Sequence, residues 1–151
     1  MVNIRYYSPG DSLRFKFRDK QEIKNIMNVY PAYFYHLNRL CEDNVFCICV
    51  DGEPVVIAGW ATSPLVSGCE MFMFASEKLN SVFGVEVFKC MKKIVNMATA
   101  QCDRLSAFCR ADNEMYRRFL ERLGFEQEGA HPGYGLGGCD MLSFGLLRRE
   151  L

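Results

Sequence analysis

The stretch that decides the fold is Asn113-Glu-Met-Tyr-Arg-Arg-Phe-Leu-Glu-Arg-Leu-Gly-Phe125. Its apolar residues recur at helical spacing and its charged residues fall on the other faces, so the pattern predicts an amphipathic helix. The apolar stripe consists of Tyr116, Phe119, Leu120 and Leu123. Asn113 is a preferred N-cap residue, and Gly124 is the residue type that commonly ends a helix in the left-handed conformation. The segment therefore has a defined start, a buried face and a defined end.

The sequence around this helix alternates predicted strands and helices. A strand over residues 104–109 precedes it, and before that strand a longer helix runs from Val82 to about Ala100. An earlier strand covers residues 69–75, and a final strand covers residues 141–147. This order of elements is typical of α/β domains.

The N-terminal half adds an antiparallel hairpin. Asp51-Gly52 is a strong hairpin signal between an apolar strand over residues 45–50 and a return strand over residues 54–60. We therefore predict one α/β domain over residues 1–151, with a mixed central sheet of about six to seven strands and helices on both faces.

Two predicted helices lie ahead of this hairpin. Asp19 is followed three residues later by Glu22, a capping-box signature that begins the first helix. Pro31 ends that helix and begins a second one, which extends through Leu40. We expect the two helices to lie against the sheet through their apolar faces.

Composition and charge exclude several classes of protein. The 151 residues contain 18 basic and 18 acidic side chains, so the formal net charge is zero. A neutral chain does not suit a nucleic-acid binder. No apolar run approaches the roughly 20 residues that a membrane span needs, and the first residues do not resemble a secretion signal. We expect a cytoplasmic protein that binds neither nucleic acid nor membrane.

The eight cysteines suggest a metal site or disulfides at first sight. They are Cys41, Cys47, Cys49, Cys69, Cys90, Cys102, Cys109 and Cys139. No pair has C-x-x-C spacing, and the chain contains only two histidines. Structural zinc sites draw paired ligands from one tight turn, so the spacing argues against a metal. We expect all eight to be reduced, small core residues.

The helix that ends in Leu123-Gly124-Phe125 resembles the corresponding helix of the GNAT superfamily of acyl-CoA-dependent N-acyltransferases, in which an Asn leads the helix. The element order resembles that fold over nearly the whole chain. The resemblance implies two splayed parallel strands whose backbone groups pair with the pantetheine arm of coenzyme A (CoA). The residues that it implies for binding CoA are Met71, Met73, Ala75, Lys78, Asn80, Ser81, Gly84 and Asn113.

One departure from the family concerns the general acid. The residue four before the glycine is usually a Tyr that protonates the departing thiolate, and here it is Leu120. General acid catalysis contributes on the order of 10²–10⁴ in rate, so its loss weakens transfer without abolishing it. Tyr116, one turn earlier, is the replacement candidate, and a core position is the alternative interpretation. The candidate general base is water or Glu70, the latter by position alone.

A second departure concerns the phosphate loop. The family pattern is Gln/Arg-x-x-Gly-x-Gly/Ala, which places backbone N–H groups around the CoA pyrophosphate. In residues 76–86 only Gly84 matches, and Glu86 adds a negative charge. An ordinary helix start capped by Asn80 or Ser81 explains the same residues.

Two further patterns have structural alternatives. Residues 133–138 spell G-x-G-x-x-G, but they precede a strand instead of opening a helix, so we interpret them as a loop. An aromatic cluster lies where this fold usually builds its acceptor site, and packing under a helical hairpin is the alternative. The cluster is Tyr30, Tyr33, Phe34, Tyr35 and His36.

Two functional hypotheses follow. In the first, the protein is a GNAT-fold domain that has lost or reduced acyl transfer, uses no cofactor and works as a binding or assembly module. Its sequence loosely resembles GNAT-related proteins of T7-like tailed phages, some of them internal virion proteins. That resemblance implies other phage proteins as partners, in the bacterial cytoplasm or the virion. In the second hypothesis, the protein is an active N-acyltransferase that uses acetyl-CoA or another acyl-CoA.

Overall fold

The computed structural model describes residues 1–62, 68–79 and 83–148. Within these residues, seven strands form one sheet. They are β1 (Val2–Tyr6), β2 (Val45–Val50), β3 (Glu53–Thr62), β4 (Cys69–Ala75), β5 (Arg104–Arg110), β6 (Glu126–His131) and β7 (Met141–Leu147). The helices are α1 (Asp11–Arg14), α2 (Lys20–Val29), α3 (Leu37–Leu40), α4 (Gly84–Gln101) and α5 (Glu114–Arg122). The strand order is β1-β2-β3-β4-β5-β7-β6, so the predicted mixed sheet is confirmed.

The first four strands form an antiparallel meander. The predicted hairpin turn is confirmed: Asp51 and Gly52 both adopt positive φ, at 50° and 82°. Two successive positive φ angles characterise the type I′ turn, whose twist matches that of the flanking strands.

The parallel contact between β4 and β5 is short. It joins Cys69 to Leu105, Glu70 to Ser106 and Met71 to Ala107, and beyond these residues the pairing stops. The Ser76 N–H donates to the Val55 carbonyl of β3. Backbone groups alternate sides along a strand, so those of Met73 and Ala75 face the opening between β4 and β5. We call this opening the splay.

Helices cover both faces of the sheet, as predicted. On one face α4 and α5 bury residues such as Met91, Ile94 and Leu120 against β3, β4 and β5. On the other face, α2, α3 and the aromatic residues between them pack on Phe74 and Ile57. Met71 and Met73 belong to the first layer, whereas Phe72 and Phe74 belong to the second.

Helix α5 forms as its local signals predict. The Asn113 side chain accepts a hydrogen bond of 3.1 Å from the Tyr116 N–H, which confirms the N-cap. Gly124 adopts a φ of 101°. The Phe125 N–H then donates to the Leu120 carbonyl at 3.1 Å, which closes the helix end.

The predicted second helix from Pro31 to Leu40 is wrong over most of its length. Residues 31–35 form turns, and only the single turn of α3 is helical. The Phe34 carbonyl accepts the Tyr7 hydroxyl at 2.8 Å. In a continuing helix this carbonyl would accept the backbone N–H four residues later, and here it accepts a distant side chain instead.

The expectation that all cysteines are reduced is wrong for one pair. Cys69 at the start of β4 and Cys102 after α4 form a disulfide, with a Cα–Cα distance of 6.0 Å. That distance lies in the ordinary range for a disulfide. The two residues are 33 positions apart, so only the packing of α4 against the sheet brings them together. The other six are free, and five of these are buried.

Candidate active site

The splay opens into a cavity of about 840 Å³, which we call the large cavity. Met73 and Ala75 form its β4 wall, Val87 belongs to α4, and α5 lines it from Glu114 to Arg122. The segment 18–22 forms the remaining side. The volume suits a ligand larger than a simple metabolite.

Basic side chains outnumber acidic ones around the large cavity. The basic residues are Arg18, Lys20, Arg110, Arg118 and Arg122, and the acidic ones are Asp19, Glu22 and Glu114. Three of these cations are paired within the chain: Arg110 lies 2.7 Å from Asp19 and 2.9 Å from Asp112, Lys20 lies 3.1 Å from Glu77, and Arg118 lies 2.8 Å from Glu114. Within the described residues, the other two, Arg18 and Arg122, form no ion pair. These two guanidinium groups give the cavity the positive charge that favours an anionic ligand.

The segment 16–18 closes one end of the splay. The Arg18 N–H donates to the Ala75 carbonyl at 2.9 Å, and the Glu77 N–H donates to the Lys16 carbonyl at 2.8 Å. The Arg18 guanidinium donates to the Leu79 carbonyl and lies 3.2 Å from the Met115 sulfur. Met73 is therefore the β4 residue whose backbone faces the gap between this segment and the last β4–β5 pair.

A second cavity of about 370 Å³, the small cavity, lies on the α2 side of the sheet. Its walls are mainly apolar and aromatic residues of α2, β4 and the loop before β7. Its acidic residues are Glu22 and Glu70, and no lysine, arginine or histidine lines it among the described residues. The small cavity therefore favours a ligand with an apolar part and a positive charge.

The two cavities meet at the splay. Both are lined by Glu22, Met73, Phe108, Tyr116 and Met141. A ligand in one cavity therefore lies next to a ligand in the other, with a carboxyl and a phenol at the boundary.

Glu22 has an unusual environment for a carboxyl group. Burial and, to a smaller extent, the nearby Asp19 raise its pKa to about 7, against an opposing effect of Arg110. A group whose pKa lies near neutral pH can accept and release protons under physiological conditions. The sequence around Glu22 predicts only a helix cap, because the position of Glu22 beside the splay depends on tertiary packing.

The tyrosines beside Glu22 remain protonated. Burial raises the pKa of Tyr116 and of Tyr33 well above their usual values. Leu120, at the family's usual tyrosine position, is 0% exposed and belongs to the core. Cys109 also lines the large cavity, but burial raises the pKa of its thiol to about 11, so it is not a ready nucleophile.

The structure brings several of the predicted site residues to the splay. Met73, Ala75, Asn113 and Tyr116 line the large cavity. Glu70 and Met71 line the small cavity. Burial of the Glu70 carboxyl raises its pKa, although the residue as a whole is exposed.

Other predicted site residues lie elsewhere. Lys78 lies 3.5 Å from Glu53 in an ion pair, and neither Lys78 nor Gly84 lines the large or small cavity. Asn80 and Ser81 lie outside the described residues. Of the aromatic cluster, Tyr30 and Tyr33 line the small cavity, whereas Phe34 is buried in the core.

The glycine-rich loop of residues 133–138 lies beside the small cavity. Leu136–Gly138 form a 3-10 turn, and the Asn25 side chain of α2 donates to the Leu136 carbonyl at 2.9 Å. The segment leads into β7 and opens no helix, so the loop interpretation is confirmed.

Two features are absent from the described residues. No group of three or more His, Cys, Asp or Glu side chains is placed to hold a metal ion. No helix within the described ranges combines the length and apolar character needed to cross a membrane.

Solved structures share this architecture over nearly the full chain. Ard1 from Thermoplasma volcanium is 17% identical, with a TM-score of 0.77 and coverage of 99% of both chains. A GNAT-family acetyltransferase from Bacillus anthracis is 16% identical, with a TM-score of 0.72 and coverage of 97% of this chain and 94% of that one. YncA from Salmonella typhimurium, solved with its cofactor acetyl-CoA, is 14% identical, with a TM-score of 0.69 and coverage of 99% and 95%.

These similarities show that the chain has the GNAT fold. No family model matches the sequence, and no curated protein matches it. At these levels of identity the solved structures establish the architecture alone. The chemistry depends on the residues at the splay.

Proposed function

We propose that this protein is an N-acyltransferase that moves an acyl group from CoA to a primary amine. One observation carries the proposal: an electropositive cavity and an apolar, acidic cavity meet at the β4–β5 splay, with Glu22 and Tyr116 at their boundary. Two ligands of opposite charge thereby come side by side. This arrangement suits a reaction between an anionic donor and a cationic acceptor.

The large cavity fits an acyl-CoA. Arg18 and Arg122, which form no ion pair within the described residues, suit the phosphates, and the Met73 backbone faces a gap that an extended amide-containing arm can pair with. Bound acyl-CoA supplies the acyl group as a thioester.

Three groups of this chain then act on the reactants. Glu22 accepts a proton from the ammonium of the acceptor, which frees the nitrogen lone pair for attack on the thioester carbonyl carbon. The Met73 N–H donates to the carbonyl oxygen. As the C–N bond forms and the C–S bond breaks, Tyr116 donates its hydroxyl proton to the departing sulfur, and the second proton of the attacking nitrogen passes to the Tyr116 oxygen. The products are an amide and the free thiol, and Glu22 releases its proton to solvent.

Titration calorimetry with acetyl-CoA, followed by a thiol-release assay over a panel of amines, tests the proposal. We expect saturable binding and a higher melting temperature, because a ligand at 100 times its Kd adds about 2.7 kcal/mol to stability. Absence of both binding and thiol release would reject the proposal.

A second candidate is the non-catalytic binding or assembly module. Its support is that the segment 16–18 already pairs with Ala75 and Glu77 of the splay edge, and that Leu120 replaces the family's tyrosine. The phage partners and the virion location belong to this candidate. It predicts that the intact protein neither binds acetyl-CoA nor releases thiol.

A further inference from the structure

We infer that the acceptor is a primary amine that carries an apolar, ring-sized substituent, and that it binds as an ammonium ion in the small cavity. This inference rests on the proposed acyl transfer. It concerns which amine is used, and its test measures amine binding separately from transfer.

The charges of the small cavity select a cation. Glu22 and Glu70 line it, and no basic side chain does so among the described residues. An amine with a carboxylate or phosphate on its substituent would bring that anion near Glu22 and Glu70. Uniform charge of one sign in a low-dielectric site rejects ligands of the same sign.

The walls of the small cavity select an apolar substituent. Phe72 and Phe74 of β4 lie with ring centroids 5.7 Å apart, and Tyr33 meets Phe74 edge to face at 6.4 Å. Ile26 of α2 completes this side. A volume of about 370 Å³ accommodates a ring and a short chain, and aromatic walls favour a ring that can pack against their edges.

The loop before β7 forms the opposite wall. Leu136 and Met141 line the small cavity, and the hydrogen bond from Asn25 to the Leu136 carbonyl holds the loop against α2. Val29, also in the lining, is 69% exposed at the mouth. The rim is therefore apolar as well, so a polar substituent finds no charged partner where it would emerge.

Glu22 fixes the orientation of the amine. It lines both cavities, whereas Phe72, Phe74 and Ile26 line only the small one. The ammonium therefore points toward the splay, and the ring points away from it. In this orientation the ammonium can pass its proton to Glu22, which frees the nitrogen for attack.

Binding measured by calorimetry or ligand-observed NMR, without acyl-CoA, tests the inference. The probes are phenethylamine, 3-phenylpropionate with the same ring and opposite charge, and ethylamine with the same charge and no ring. We expect phenethylamine to bind at least about tenfold more tightly than either control, because each control lacks one of the two contacts. Equal binding of 3-phenylpropionate or of ethylamine would overturn the inference.

Glu70→Gln provides the matched variant. It removes a charge from the small cavity while keeping the shape, so we expect phenethylamine binding to weaken about fivefold, with 3-phenylpropionate binding unchanged or improved. Glu121→Gln removes an exposed carboxylate of α5 that lines neither cavity, and it should change nothing. An equal response to the two substitutions would also overturn the inference.

A phenylalanyl-glycyl-glycine amide distinguishes a peptide N-terminus from a free amine as the source of this chemistry. Tighter binding than phenethylamine identifies the peptide, and weaker binding identifies the free amine.

Thiol release is then measured with acetyl-CoA and each amine. Amine binding without any thiol release refutes the transferase and leaves the ligand class standing. Thiol release with ethylamine but not phenethylamine refutes the ligand class and leaves the transferase standing.

Discussion

The large and small cavities differ in charge although they share one opening in the sheet. The large cavity has five basic and three acidic side chains, whereas the small cavity has two acidic and no basic ones among the described residues. Within the described residues, Arg18 and Arg122 of the large cavity form no ion pair, whereas the ionisable side chains of the small cavity other than its tyrosines are carboxylic acids. A formal charge of zero is therefore compatible with two neighbouring cavities of different local charge.

The charges of the two cavities come from different parts of the chain. Arg118 and Arg122 belong to α5, while Arg18 and Lys20 come from the segment that leads into α2. Glu22 follows one turn later and lies at the boundary. The substitutions described below change either the boundary between the cavities or the large cavity alone.

Glu22→Gln at the boundary has the largest expected effect. Loss of a general base lowers kcat by about 10³-fold, within the range for acid–base catalysis. Because burial raises the pKa of Glu22 to about 7, wild-type kcat/KM should rise with pH through about pH 7, and the variant should lose this dependence. Steady-state kinetics over pH 5.5–8.5, about the range in which Glu22 titrates, provides the measurement. Unchanged kcat with the same pH profile would remove Glu22 from the mechanism.

Tyr116→Phe, also at the boundary, removes the hydroxyl and keeps the ring. We expect kcat to fall by about 10²-fold with little change in the Kd for acetyl-CoA. Tyr35→Phe is the control, because Tyr35 is 72% exposed and lines neither cavity. If the two variants behave alike in the thiol-release assay, the core interpretation of Tyr116 is correct.

Arg118→Gln combined with Arg122→Gln weakens only the large cavity. Two exposed cations near an anion contribute up to about 1 kcal/mol each, so the Kd for acetyl-CoA should rise about 3- to 10-fold. The salt dependence of binding should decrease as well. Arg39→Gln, an exposed arginine away from both cavities, serves as control. A parallel loss of phenethylamine affinity would mean that the two cavities are not independent.

The smallest expected effect is a pH-dependent gain of stability in Glu22→Gln. The carboxyl titrates near its ordinary value of 4.5 in the unfolded chain and near 7 in the folded one. Between these values the folded state holds the extra proton, so wild-type stability falls as pH rises from about 4.5 to 7 and is level above. The variant should therefore be more stable than wild type at pH 8 by on the order of 1 kcal/mol, and not at pH 4. Urea unfolding at both pH values measures this, and a gain at pH 4 alone would have the wrong sign.

Local signals predicted the elements that depend on local contacts. The N-cap of Asn113, the apolar stripe and Gly124 all lie within one 13-residue segment, and α5 forms between them. The Asp51-Gly52 turn likewise depends on two adjacent residues. Such elements are stabilised by neighbours in sequence, so their pattern can be read directly.

Predictions failed where a distant residue decides the outcome. Tyr7, 27 positions from Phe34, takes the carbonyl that the second predicted helix would need. Cys69 and Cys102 meet across 33 positions. The environment of Glu22 was not predicted for the same reason, because Glu22 shares its cavity lining with Met73 of β4, Phe108 of β5 and Tyr116 of α5.

The sequence by itself determined the element order, the buried faces, the caps and the turn, because hydrophobic periodicity and capping act over a few residues. The tertiary structure decided which charges face which cavity. Arg18 and Arg118 are 100 positions apart in the sequence and line the same cavity, and Glu22 acquires its raised pKa only when other elements exclude water from it. Electrostatic potentials and pKa values depend on distances between groups in the folded chain, and these distances cannot be read from the order of residues.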